Sequence, residues 1–296
     1  MRKSALLLIS LLFSTAASAV EPLVDHRWLG QNLNNDEVLI VDLRPRNSFE
    51  YAHIKGSTHT DLELWRTKSN GVEKMLPSKT HIEMLMSKMG ARPDHHIVLV
   101  GAGNSAGDLA GASRVYWTLE QIGHAKKSIL DGGIIAYAQA RLPLERGANS
   151  VKPTDYKVFR MRNDQITGDE INKRRDALNL IDVRSKAEHL GIYRGAPDER
   201  AGTISGAQSL PYDWFSKNGG GSFVDTANAQ VLLDTLEIDP DKPKVVFCHT
   251  GHRAALAWFM LHEIMGMKDT ILYDGSTREW AKRTDLPIEQ KLPIKH

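Results

Sequence analysis

The sequence predicts an α/β fold made of two copies of one domain, each a mostly parallel sheet with helices on both faces. Two observations carry this prediction. In the first half, an apolar run ends at Asp42-Leu43-Arg44. A similar run in the second half ends at Asp182-Val183-Arg184. Strands of this kind alternate with helical patterns in both halves, which is typical of parallel sheets covered by helices.

The features that follow these runs keep the same order in both halves, which indicates a duplicated domain. Each half has an Ile-x-Gly segment, a second apolar strand, a helical pattern that ends at a glycine, and a strand that ends on Asp-Gly. In the second half these are Ile204–Ala207, Val245–Phe247, Ala254–Met265 and Leu272–Gly275.

The first residues predict an export signal. Arg2 and Lys3 precede a short apolar stretch, and Ala17-Ser18-Ala19 is a small-x-small cleavage site. The apolar stretch is too short to span a bilayer. We therefore expect residues 1–19 to be removed, no membrane association after cleavage, and a periplasmic or otherwise exported protein. The remainder predicts domains at 20–148 and 157–296, with a polar linker near 146–156.

Charge excludes some partners. The chain has 38 Lys and Arg against 36 Asp and Glu, and without Arg2 and Lys3 the two signs balance. A neutral chain has no general attraction for nucleic acid or anionic lipid, so we expect neither as a partner. Any affinity for an anion must be local.

Cys248 is the only cysteine, and its position predicts a reactive thiol. It directly follows the strand Val245–Phe247 and precedes a helix, at the sheet edge where α/β proteins place their chemistry. Gly251 permits a turn that directs main-chain N–H groups at an anion, and Arg253 adds a positive charge. These features favour a thiolate or a persulfide anion at Cys248.

These motifs together resemble the rhodaneses, and among them the tandem thiosulfate and 3-mercaptopyruvate sulfurtransferases. The resemblance rests on Cys248-x4-Arg253, the two Asp-x-Arg strand ends, the Ile-x-Gly segments and the stretch Tyr273–Trp280. It implies two tandem rhodanese-like domains. Gly101 stands where the second half has Cys248, which implies an inactive first domain and one active site in the second, near the domain interface.

The resemblance also implies a reaction. The Cys248 thiolate takes the outer sulfur of a small anionic donor such as thiosulfate, and the persulfide passes it to cyanide or a thiol, without a metal or organic cofactor. Glu188 stands where many tandem relatives have a donor-binding arginine; it either faces the pocket or points outward, and Arg194 or Arg200, in the loop before Ile204, could supply the missing charge. Cys248 and Arg253 are the expected catalytic residues, and the expected substrate- or persulfide-binding residues are His249, Thr250, Gly251, His252, Arg184 and Arg200.

Several alternatives remain open. The domain pair could carry sulfur or bind a protein without fast turnover, and 3-mercaptopyruvate is a less favoured donor because the loop differs from Cys-Gly-Ser-Gly. A phosphatase is disfavoured because its Cys-x5-Arg loop is one residue longer. Gly103-Asn-Ser105-Ala-Gly107 matches a serine-hydrolase elbow, but the repeat aligns it with the cysteine loop.

Overall fold

The computed structural model describes residues 20–292 and 294–295. The predicted export signal lies outside these residues. Within the described part of the chain, none of the helices is both long and apolar enough to cross a membrane.

The first half contains a five-stranded parallel sheet with the order β1-β8-β7-β2-β4. Its strands are β1 (Leu23–Val24), β2 (Val38–Asp42), β4 (Thr58–His59), β7 (His96–Val100) and β8 (Lys127–Leu130). Short antiparallel pairs lie beside the sheet: β3 (His53–Ile54) with β9 (Leu144–Glu145), and β5 (Thr67–Ser69) with β6 (Val72–Met75). The central strands β7 and β8 are buried along their whole length, as their apolar runs predict.

The second half repeats this arrangement. Its parallel sheet has the order β12-β10-β13-β14, from β10 (Asn179–Asp182), β12 (Gln208–Ser209), β13 (Lys244–Phe247) and β14 (Thr270–Leu272). The antiparallel pair of β11 (Thr203–Ile204) with β15 (Ile288–Glu289) corresponds to that of β3 with β9. The predicted duplication and fold class are confirmed.

Helices lie between the strands in both halves. They are α1 (His26–Gln31), α2 (Arg46–Tyr51), α3 (Lys79–Lys88), α4 (Ala106–Gln121), α5 (Gly133–Gln139), α6 (Gly168–Arg174), α7 (Lys186–Leu190), α8 (Thr226–Leu233), α9 (His252–Trp258) and α10 (Ser276–Trp280). A π-helical turn, Phe259–Ile264, continues α9. Short 3₁₀ turns occur at Leu62–Trp65, Arg175–Ala177, Tyr212–Phe215 and Lys217–Gly219.

Capping explains where two of the helices begin. Thr167 and Glu170 form the capping box expected from their spacing, and α6 begins there. Ser105 and Asp108 form another, and α4 begins there. That box is part of the segment resembling a hydrolase elbow, so the Ser105 hydroxyl caps a helix.

The two halves share one hydrophobic core. Helices α4 and α9 pack against each other across the boundary, and the Tyr116 ring meets that of Phe259 edge to face, with 4.8 Å between centroids. The connecting segment 146–166 has no regular structure, but it is tied to the first half; Thr154 donates to the Ala91 carbonyl oxygen at 2.6 Å. The edge of the second sheet at which its parallel strands end therefore faces the first domain.

Candidate active site

The cysteine loop lies at the carboxyl end of β13, where the sequence predicts it. Ser276 holds the turn of this loop. It lies in the connection between the next strand and helix, and it is fully buried. The Ser276 hydroxyl accepts hydrogen bonds from the main-chain N–H groups of Cys248 and Gly251, both at 3.1 Å, and donates to the Tyr273 carbonyl oxygen at 2.8 Å. Ser276 itself has a left-handed backbone, with φ of 50°.

The anion cradle that the sequence predicts has fewer free main-chain N–H groups than the loop contains. Two of the N–H groups are used by Ser276. Those of His249, Thr250, His252 and Arg253 have no hydrogen-bond partner among the described residues. They follow Cys248 along the loop and into the first turn of α9, where unpaired N–H groups favour a negative charge. The loop can therefore bind an anion formed at the cysteine sulfur.

The thiol is closed off from solvent. Cys248 is 1 % exposed and belongs to the shared hydrophobic core, together with Leu210, Phe215 and Ala254. A donor therefore reaches the sulfur only when the side chains that cover it move. This burial was not evident in the sequence, which predicts a thiol at a sheet edge.

Position 251 requires a glycine for two reasons, its backbone conformation and its close neighbours. Its φ is 70°, and an added Cβ would lie 2.7 Å from both Arg114 Nη1 and Asp274 Oδ1. Those two groups form a buried ion pair of 2.5 Å that joins α4 of the first domain to the segment after β14. Asp274 also accepts a hydrogen bond from the Leu76 N–H at 2.7 Å. The cysteine loop is therefore packed directly against the link between the domains.

Arg253 lies at the site, but its charge is paired. Its guanidinium donates to both carboxylate oxygens of Glu188, at 2.7 and 2.8 Å, and lies over the Tyr212 ring. Burial opposes ionisation of Glu188, but the hydrogen bonds from Arg253 outweigh it and lower the pKa of Glu188 to about 2. Glu188 therefore faces the active-site arginine and stays negative at ordinary pH.

Arg184 and Arg200, both expected to bind the donor, have guanidinium groups that donate hydrogen bonds within the protein. Arg184 is buried, and its guanidinium donates to the Asp182 carboxylate at 2.6 Å and to the Gly202 carbonyl oxygen at 2.8 Å. Arg200 donates to four main-chain oxygens, including those of Arg283 at 2.6 Å and Leu286 at 2.9 Å. Both fix the fold around the site.

The two loop histidines are held against neighbouring segments rather than facing solvent. His249 Nε2 lies 3.0 Å from a carboxylate oxygen of Glu199, which is buried and comes from the loop that precedes β11. The His252 ring lies against α4 beside Gly111, and its Nδ1 has no partner among the described side chains. Burial, with help from nearby arginines, lowers the pKa of His252 to about 3, so it is neutral. Thr250 is half-buried between them.

The corresponding place in the first domain holds a cavity without a cysteine. Gly101 directly follows β7 there, and a cavity of about 530 Å³ is lined by residues that include Leu62, Gly101 and Asp108. No group of three or more His, Cys, Asp or Glu side chains among residues 20–292 and 294–295 could hold a metal ion.

The sequence interpretation missed two residues that hold the cysteine loop, Ser276 and Glu199. Ser276 lies in the Tyr273–Trp280 motif, so the signal was present, but the motif does not show that its hydroxyl holds the cysteine loop. Glu199 lies in an irregular loop, fifty residues before its partner His249. Sequence spacing gives no sign of such a contact.

Replacing Glu188 with Gln is expected to tighten binding of an anionic donor. The change removes the carboxylate that neutralises Arg253, and at this partly buried site we expect KM for thiosulfate to fall about fivefold, or about 1 kcal/mol. Steady-state kinetics at low and high salt measure this. Glu170→Gln is the matched control, because Glu170 has the same capping-box position without an arginine partner. An increased KM would show instead that Glu188 is needed to position Arg253.

Comparison with known proteins agrees with this fold. The family model described as "Rhodanese-like domain" matches twice, at residues 25–140 and 167–283. The chain therefore belongs to the rhodanese-like family, with two of its domains in tandem. The second match contains Cys248 and its loop; the first contains Gly101.

Relatives with both domains are similar over nearly the whole chain. The 3-mercaptopyruvate sulfurtransferase of Escherichia coli K12 is 28% identical over 281 residues, covering 90% of this chain and 96% of its own. The mitochondrial thiosulfate/3-mercaptopyruvate sulfurtransferase 1 of Arabidopsis thaliana is 26% identical, with 93% and 80% covered. The crystal structure of SseA from Escherichia coli superposes with a TM-score of 0.75 at 23% identity, with 88% and 100% covered.

Proposed function

We propose that the protein is a thiosulfate sulfurtransferase that works through a persulfide on Cys248. The thiolate attacks the outer sulfur of thiosulfate, a new S–S bond forms, and sulfite leaves with the electron pair of the bond that breaks. The persulfide anion then gives its terminal sulfur to cyanide or a thiol, and the thiolate returns. Sulfur transfer is the activity that the family and the cysteine loop support.

The observation that carries this proposal is the pairing of the lone thiol with unused main-chain donors. Cys248 is followed by four loop N–H groups without partners, at the amino end of a helix. Such donors stabilise a negative charge without a proton or a metal. A persulfide places that charge on the outer sulfur, within the loop.

Relatives are named for thiosulfate, for 3-mercaptopyruvate, or for both. The loop Cys248-His249-Thr250-Gly251 has a bulky imidazole and a hydroxyl after the cysteine, and these leave less room for an organic acid than two small residues would. We therefore place thiosulfate first.

The burial of Cys248 supports a second candidate, a sulfur carrier without fast turnover. A thiol that is 1 % exposed, beside an arginine already neutralised by Glu188, is poorly set up for rapid exchange with small molecules. In this alternative, a partner protein opens the site. The same persulfide chemistry would serve, but free thiosulfate would react slowly.

The predicted export signal also bears on where in the cell the protein works. Residues 2–19 have the pattern of a cleaved leader. We propose that the mature protein works in the periplasm or a similar exported space. Amino-terminal sequencing of the protein recovered from cells tests this, and a chain that retains Met1 and Arg2 would contradict it.

Steady-state transfer from thiosulfate to cyanide tests the function. Wild-type protein is expected to form thiocyanate at a rate at least about a thousandfold above that of Cys248→Ser, because the hydroxyl is a far weaker nucleophile than a thiolate. Equal rates in both proteins would end the proposal. A wild-type protein that forms the persulfide once but turns over very slowly would favour the carrier.

A further inference from the structure

The second domain offers little unpaired positive charge to a dianionic donor. Arg253 is paired with Glu188, Arg184 with Asp182, and the Arg200 guanidinium is surrounded by carbonyl oxygens. Arg114 reaches the site from the first domain; its Nε is buried without a partner among the described residues, but its Nη1 is bound to the buried carboxylate of Asp274. Arg253, Arg184 and Arg114 are therefore each neutralised by a carboxylate that is itself largely buried.

Arg66, also from the first domain, is differently placed. It follows the 3₁₀ turn Leu62–Trp65, which is fixed by the fully buried Trp65 through a hydrogen bond to Thr60 Oγ1 at 3.1 Å. Leu62 and His252 both lie beside Gly111 of α4, so this turn lies against the cysteine loop. The Arg66 side chain is only 6 % exposed.

The Arg66 guanidinium is only partly paired. Nη2 pairs with the carboxylate of Glu63, whose own side chain is 69 % exposed. Nε is buried and makes no hydrogen bond within the described residues. A buried charged donor without a partner is costly and needs an explanation, and a bound anion would supply the missing acceptor.

The groups that interact electrostatically with Arg66 include Cys248. Burial, with some help from Arg114, lowers the pKa of Arg66, while the negative charges of Glu63 and of an ionised Cys248 oppose that change. Arg66 also contributes to the low pKa of His252. One guanidinium thus acts on both the cysteine and the loop that carries it.

We propose that Arg66 of the first domain binds the anionic end of the sulfur donor over Cys248 of the second domain. This inference rests on the proposed function, because it concerns the donor of that reaction. The first domain then does more than support the fold: it supplies the donor-binding cation that the second domain lacks, and the active site is complete only when the domains are docked.

Alkylation of Cys248 by two reagents of similar size tests the charge directly. Iodoacetate is anionic and iodoacetamide is neutral, so the ratio of their rates reports the local positive charge and cancels changes in access. Arg66→Gln is expected to lower the iodoacetate-to-iodoacetamide ratio about fivefold to tenfold, and to raise KM for thiosulfate about tenfold with kcat little changed. Arg66→Lys keeps the charge and should restore most of the ratio.

The controls separate this inference from the function itself. Arg92→Gln removes an exposed arginine that pairs with Asp94, and it should leave the ratio at the wild-type value. A ratio and a KM that stay unchanged in Arg66→Gln, in a wild-type protein that does form the persulfide, would overturn the role of Arg66. If wild-type Cys248 gains no sulfur and reacts with neither reagent, the proposed function fails first.

Discussion

Gly251→Ala is expected to abolish most of the activity and to lower the free energy of unfolding by at least about 3 kcal/mol. The added methyl group would occupy a left-handed position, at φ of 70°, and would lie 2.7 Å from both partners of the Arg114–Asp274 ion pair. Relieving that overlap moves either the cysteine loop or the pair. Either movement disturbs the cradle around Cys248.

Urea unfolding and thiosulfate:cyanide kinetics measure the two effects of Gly251→Ala. The control is Gly266→Ala, since Gly266 has nearly the same φ, 72°, but nothing within 4 Å of its added Cβ. Backbone strain alone should cost that control about 1–2 kcal/mol and leave activity unchanged. If both variants behave alike, the close packing of the loop against the ion pair is not important.

Arg114→Met is expected to cost about 3–5 kcal/mol of stability, because it leaves Asp274 buried without its cation. Arg114 is fully buried and Asp274 nearly so, and the pair joins the two domains beside Gly251. The loss should therefore also weaken docking of the first domain and slow persulfide formation.

Equilibrium unfolding measures the cost of Arg114→Met, and the double variant Arg114→Met with Asp274→Asn gives the coupling. The double variant should recover part of the loss, because the stranded charge is gone. Arg92→Met, which breaks an exposed pair with Asp94, should cost less than about 1 kcal/mol. A similarly small cost in Arg114→Met would contradict the role of the pair as the link between domains.

Features that are local in the sequence were predicted well. The apolar strand runs, the repeated Asp-x-Arg ends, the Thr167–Glu170 capping box and the strand–loop–helix position of Cys248 all depend on neighbouring residues, and the structure shows each of them. The two tandem domains and the family follow from the same motifs. The domain limits at 20–148 and 157–296 stay predictions.

Contacts between distant segments were not predictable in this way. Arg200 looked like a spare cation, but its donors are taken by carbonyl oxygens more than eighty positions later in the chain. Arg66 gave no signal, because the approach of its turn to the cysteine loop depends on the docking of two domains. The pairing of Glu188 with Arg253 is of the same kind, since it joins α7 to the amino end of α9.

The mass of the intact protein after exposure to thiosulfate tests the central claim most directly. A gain of about 32 Da, one sulfur atom, is expected on wild-type protein, lost again with cyanide and absent in Cys248→Ser. Such a result requires the buried thiol to open and to become nucleophilic in the folded protein. No gain with thiosulfate or with 3-mercaptopyruvate, together with no labelling of native Cys248 by iodoacetamide, would contradict the account.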